Sequence, residues 1–105
     1  MNMKGTLPLL ILYTLSLGAK HGYAITKALR EQSDGILAFT EGTLYPTLHD
    51  LEKRGFIDSH KDTVVQGRTR KTYQLTASGL RELDKQRDEW SRYANAVSTI
   101  LGGAS

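Results

Sequence analysis

Apolar residues recur along this chain with two different periods, and the changes of period divide it into elements. Leu7 to Leu17, LPLLILYTLSL, is apolar on nearly every face. It predicts a helix buried on two sides, capped by Thr6, with Pro8 in its first turn and Gly18 as its end. In a small domain, one side of such a helix is left to meet something outside its own core. A linker, Ala19 to Lys20, leads to a second helix in HGYAITKALREQSDG, where Tyr23, Ile25 and Leu29 with Ala24 and Ala28 form a stripe closed by Gly35. Ile36 to Phe39 is a brief apolar connection. Leu44, Leu48 and Leu51 then fall at i, i+4 and i+7, one narrow stripe anchoring a third helix of about four turns between Thr40 as cap and Gly55 as stop. Its opposite face turns Gly42, Pro46, His49 and Lys53 outward, flanked by Thr43, Tyr45 and Asp50. Pro46 is tolerable there because it lies near the helix start.

Beyond Gly55 the period shortens. Phe56 to Lys61 and Thr69 to Leu75 predict two strands, and Asp62 to Arg68 between them is a hairpin tip too long for a two-residue turn. Three helices followed by strand, basic loop and strand make a winged helix-turn-helix with a two-stranded wing, an α+β fold that is mainly α. From Thr76, a good cap, one helix runs to Leu101. Leu80, Leu83, Arg87, Trp90, Ala94, Val97 and Leu101 take successive a and d heptad positions, all apolar except Arg87. Roughly 25 helical residues extend about 37 Å, against a radius of gyration of about 13 Å for a domain of this size. The helix must overhang, and an overhanging apolar seam predicts a twofold homodimer. Residues 1–75 are thus read as the winged helix, 76–101 as a dimerisation helix on the same core, and 102–105 as a frayed end.

Charge sharpens this picture. The net charge is +3, but residues 63–75 carry Arg68, Arg70 and Lys71 with no acid, whereas the final helix balances its acids and bases. The positive field sits beside the third helix. At 105 residues the chain is a single domain, and the absence of cysteine suits a reducing cytoplasm. The apolar run at the start is too short for a membrane span, which needs roughly 20 residues.

In LLILYTLSLG, HGYAI at 21–25, EGTLYPTLHDLEKRGFI at 41–57 and GRTRKTYQLTASG at 67–79, the chain resembles the PadR family of bacterial transcriptional regulators, from Leu7 to Leu101. The third of these motifs is the most specific. The resemblance implies a winged helix that dimerises through its first and last helices, binds a palindromic operator, and commonly represses a neighbouring gene until a small molecule releases it. With one C-terminal helix, the chain is similar to the compact members.

An α-helix fits the major groove of B-DNA. Thr43, Tyr45, Thr47 and His49 can donate to phosphates or base edges, and Lys53 to a phosphate at the groove wall. Arg68, Arg70 and Lys71 suit the backbone or a narrow minor groove, with strand alternation placing Arg68 and Arg70 on one face and Lys71 on the other. His21 starts the second helix, where it can set a backbone amide against phosphate. Tyr23 beside Ile25 is read as core, Tyr73 and Leu75 as packing of wing on core, and Glu52 with Arg54 as surface charge. Trp90 either fills the dimer interface or lines a gap that accepts a planar aromatic effector.

Enzyme chemistry finds little support. His21, His49 and His60 lie on separate elements, with no cysteine nucleophile, no HExxH and no phosphate loop. No cofactor or metal site is indicated. A winged helix that binds proteins rather than DNA is the stronger rival, and the acid-free stretch at 63–75 is what separates the two readings.

Overall fold

The computed structural model describes residues 3–62 and 70–103. A 3₁₀ turn, Met3–Thr6, runs straight into α1, Leu7–Ser16. Thr6 holds near-helical angles, φ −92° and ψ −11°, so the helix begins through that turn and not through the side-chain cap expected there. Leu7, Ile11, Leu12 and Leu15 are buried, and Thr14 joins them because its hydroxyl donates to the Leu10 carbonyl at 2.7 Å. Two residues, Lys20–His21, form a short strand β1 where the sequence pattern predicts a linker and a helix start. Helices α2, Gly22–Gln32, and α3, Glu41–Lys53, follow.

Leu44, Leu48 and Leu51 of α3 are all buried, and they meet Ile25 and Leu29 of α2 and the core face of α1. Thr40 caps α3 with its carbonyl, which accepts from the Thr43 and Leu44 amides at 3.1 and 2.9 Å. Its hydroxyl turns instead to the Thr43 hydroxyl, so the expected side-chain cap is absent. Pro46 lies beyond the first turn, deeper than its expected position near the helix start. It has no N–H for the Gly42 carbonyl, but both residues are exposed and the freed carbonyl stays solvated. The helix stops in a Schellman arrangement: Gly55 at φ 83°, its amide on the Glu52 carbonyl and the Phe56 amide on the Leu51 carbonyl, each at 3.0 Å.

Strands β2, Ile57–Lys61, and β3, Lys71–Leu75, pair antiparallel with Ile57 opposite Leu75 and Lys61 opposite Lys71. The Asp62 amide adds one more rung to the Arg70 carbonyl at 2.7 Å. Residues 63–69, with Arg68 and most of the expected tip, lie outside the described residues. β1 pairs on the other side of β3, Lys20 opposite Tyr73 and His21 opposite Thr72, so the order is β1-β3-β2 and the sheet has three strands where two were expected.

The long helix α4, Ala77–Ile100, is capped as expected by Thr76, whose side chain accepts from the Gly79 amide at 3.0 Å. The same hydroxyl donates to the Gly55 carbonyl at 2.7 Å, and the Thr76 amide donates to the Phe56 carbonyl at 3.1 Å. Gly79 is therefore pressed against the start of β2. A Cβ there would lie 1.9 Å from the Phe56 carbonyl oxygen and 2.7 Å from Leu75 Cδ1. The helix overhangs: the molecule measures 54 × 29 × 21 Å with a radius of gyration of 15.2 Å. Gly79→Ala should destabilise the fold by about 1–3 kcal/mol, the usual range for overpacking, because the obstacle is backbone. A thermal midpoint equal to that of the parent, at matched concentration, would show that this junction yields freely.

Candidate nucleic-acid interface

With its leucines turned inward, α3 leaves Glu41, Gly42, Tyr45, Pro46, His49, Asp50 and Lys53 exposed. Thr43 and Thr47 are only half-exposed, and the Thr47 hydroxyl donates back to the Thr43 carbonyl at 3.0 Å. That proton is therefore engaged within the helix and Thr47 offers mainly acceptor capacity. Asp50 faces Arg54 at 3.7 Å one turn on, and the Arg54 guanidinium lies 5.0 Å over the Phe56 ring. Glu52 accepts from the Ser59 hydroxyl at 2.7 Å, so it ties α3 to β2 and is not merely surface charge.

Tyr45 crosses from α3 to the start of α2. Its hydroxyl lies 2.8 Å from where a Cβ on Gly22 would stand, so the glycine makes room for the ring. Behind it, Tyr73 is buried as expected, and burial, with Tyr45 and Glu52 nearby, pushes its hydroxyl above the ordinary tyrosine pKa. Together His21, Gly22, Tyr23, Glu41, Tyr45, Arg70, Lys71 and Tyr73 line a cleft of about 560 Å³ between the helix-turn-helix and the wing. Arg70, Lys71, Tyr45 and His21 are thus brought together, while His49 and Lys53 continue the same surface along α3.

Tyr23 departs from its expected core position. It is 51% exposed, with the Arg70 guanidinium 4.9 Å over its ring and the His21 ring stacked at 5.8 Å and 9°. His21 is set by the sheet: its Nδ1 donates to the Lys71 carbonyl at 3.1 Å and lies 3.6 Å from Asp62 Oδ2. His60 Nε2 approaches Asp62 Oδ1 at 3.3 Å, and the Thr72 hydroxyl donates to the same carboxylate. Two histidines that the sequence places on separate elements therefore converge on one carboxylate, because His21 and His60 both pair with Thr72. Among the described residues no group of three or more His, Cys, Asp or Glu side chains is arranged to hold a metal ion.

Residues 11–85 match the transcriptional regulator PadR-like family. The chain belongs to that family. It is 38% identical over 85 residues to the transcriptional regulator Rv3488 of Mycobacterium tuberculosis, covering 81% of this chain and 73% of that protein. A transcriptional regulator from Clostridium thermocellum superposes with a TM-score of 0.87 at 27% identity, over 94% of this chain and 93% of that one. Bacillus subtilis PadR in complex with operator DNA superposes with a TM-score of 0.71 at 31% identity, covering 77% of this chain and 46% of that one. PadR-like proteins are transcription regulators, and the chain is not an enzyme.

The PadR-like chain carries a second surface along α4. Leu80, Arg87, Trp90, Val97 and Leu101 are exposed and Ala94 is half-buried, with Tyr93 and Ile100 exposed beside them. Leu83 is a correction to the expected seam: it is 3% exposed within the subunit's own core, because the first turns of α4 still lie against α1 and the sheet. Trp90 and Tyr93 stack at 6.1 Å, and the Arg87 guanidinium lies 5.4 Å over Tyr13 of α1. These four line, with Leu9, Leu10, Ile36 and Leu37 among others, an apolar cavity of about 680 Å³.

Proposed function

We propose that this PadR-like chain is an operator-binding regulator that works as a homodimer, represses transcription, and is released by a small planar aromatic ligand. The observation that carries DNA binding is the cleft in which Tyr45 of α3 meets Arg70, which leads into β3, and Lys71, the first residue of that strand. It joins a helix able to enter a major groove to cations that hold phosphate. Along this surface Tyr45, His49 and Lys53 face the groove, His21 sits at the phosphate flank, and Thr43 and Thr47 stand at its edge. Arg68, outside the described residues, would extend the cations into the wing. The working compartment is the cytoplasm, where the operator lies.

Dimerisation is supported by Trp90, Val97, Ile100 and Leu101, an apolar face on the half of α4 that projects beyond its own core. Two helix-turn-helix units related by a twofold axis read half-sites about 34 Å apart on a palindrome. The cavity beside Trp90 supports the effector. Its walls are aromatic and aliphatic, with one guanidinium to orient a polar substituent. A ligand there would bear on both α1 and α4.

Mobility shift against DNA upstream of the protein's own gene, at two salt concentrations, tests the main reading. Saturable binding above scrambled DNA is expected, and binding equal to scrambled DNA would favour the protein-interaction module. Arg70→Ala with Lys71→Ala should weaken binding to every sequence and lower the salt slope by about 0.9 for each phosphate no longer neutralised; an unchanged slope removes the wing base from the interface. Val97→Glu with Ile100→Glu should halve the mass seen by light scattering while the fold persists, and a folded variant that stays dimeric sinks the seam. Trp90 is the single tryptophan, so a phenolic acid entering the cavity should quench its fluorescence saturably and loosen DNA. Quenching with DNA affinity unchanged would leave the cavity without a regulatory role.

A further inference from the structure

Tyr23 is the second residue of α2, half in solvent, on a surface where a bare aromatic ring has no core to fill. Its ring nevertheless has two partners. Arg70 lies over it at 4.9 Å, and His21, fixed to the Lys71 carbonyl, stacks with it at 5.8 Å. Arg70 meanwhile has its backbone held as the last rung of the described hairpin, by the Asp62 amide at 2.7 Å. With the main chain fixed and the guanidinium resting on a ring that α2 holds, the long side chain is confined between two anchors.

We propose that Tyr23 is a positioning residue for DNA binding, whose ring holds the Arg70 guanidinium at the phosphate backbone. This role rests on the DNA-binding reading above. A guanidinium over a ring is attracted through its charge and not through its hydrogen-bond donors, so its N–H groups can still take a phosphate in a forked contact. The ring thus favours the bound orientation of Arg70 before DNA arrives, and part of the ordering that binding demands is already done. The recognition surface is tuned through α2 as well as through α3, since α2 carries Tyr23 and Gly22 makes room for Tyr45.

The test is a double-mutant cycle on a random-sequence duplex of about 30 base pairs at low salt, because a phosphate contact does not depend on sequence. An exposed cation–π contact corresponds to about two- to fivefold in affinity, and two copies in a dimer compound to about five- to thirtyfold. Tyr23→Leu should lose that factor, with a salt slope between those of the parent and Arg70→Ala. Tyr23→Phe, which keeps the ring, should stay within about twofold of the parent. In the Arg70→Ala background Tyr23→Leu should cost nothing further. An equal loss in both backgrounds overturns the role, since Tyr23 would then act on DNA or on the fold directly. Tyr23→Phe as weak as Tyr23→Leu overturns it too, because the hydroxyl would be the contact. In the free protein, the Arg70 side-chain protons should be shifted upfield by the ring in the parent and Tyr23→Phe but not in Tyr23→Leu, and absence of that shift in the parent overturns the proposal without reference to DNA. If the shift is present and the parent binds no duplex at all, the DNA-binding reading fails, and the role of Tyr23 fails with it.

Discussion

Three leucines govern the orientation of everything that could touch DNA. Leu44, Leu48 and Leu51 are almost wholly buried, and the narrow stripe they form on α3 permits only one rotation of that helix about its axis. Once that rotation is set, Tyr45, His49 and Lys53 have no choice but to face outward. A polar group turned into the core in place of any of the three would be left without partners, so slippage by one residue is strongly opposed.

The sheet does for the wing what the leucines do for α3. β3 is its middle strand, hydrogen-bonded to β2 on one side and to the two residues of β1 on the other. Because β1 leads directly into α2, the base of the wing and the start of the helix-turn-helix are joined through one sheet. The arrangement of Tyr23 and His21 beside Arg70 and Lys71 follows from this pairing. Glu52, bonded to Ser59, and Tyr73, buried behind Tyr45, tie α3 to the same sheet.

What can be read from sequence is what repeats. The stripe of α3, the hairpin strands and the cap of α4 at Thr76 are carried by periods or by a local residue choice, and the structure has them where the pattern puts them. β1 is illegible because two residues cannot display an alternation, and its partner strand lies some fifty positions away. The meeting of His21, His60 and Asp62 is hidden for the same reason. Tyr23 does carry a signal against the core position its neighbours suggest. It lies two residues from Ile25, hence on the opposite side of the helix from the Ile25 and Leu29 stripe. Leu83 shows the limit of a heptad: the repeat runs unbroken down α4, but which neighbour each position meets changes where the helix leaves its own core. Of the candidate site, the exposed face of α3 is legible residue by residue, whereas the way α2 supports it is not.

The joint at Thr76 and Gly79 has a mechanical consequence. Thr76, the cap of α4, is bonded to the carbonyls of Gly55 and Phe56, the residues that follow α3, and Gly79 leaves no clearance between the two segments. A clamp this tight acts as a stiff elbow. The far half of α4 is then a lever arm, and a torque applied at Trp90 would be felt where α3 ends. Two such arms joined at their tips would set the separation and tilt of two reading heads, so the spacing between half-sites becomes a matter of how rigid one glycine's surroundings are.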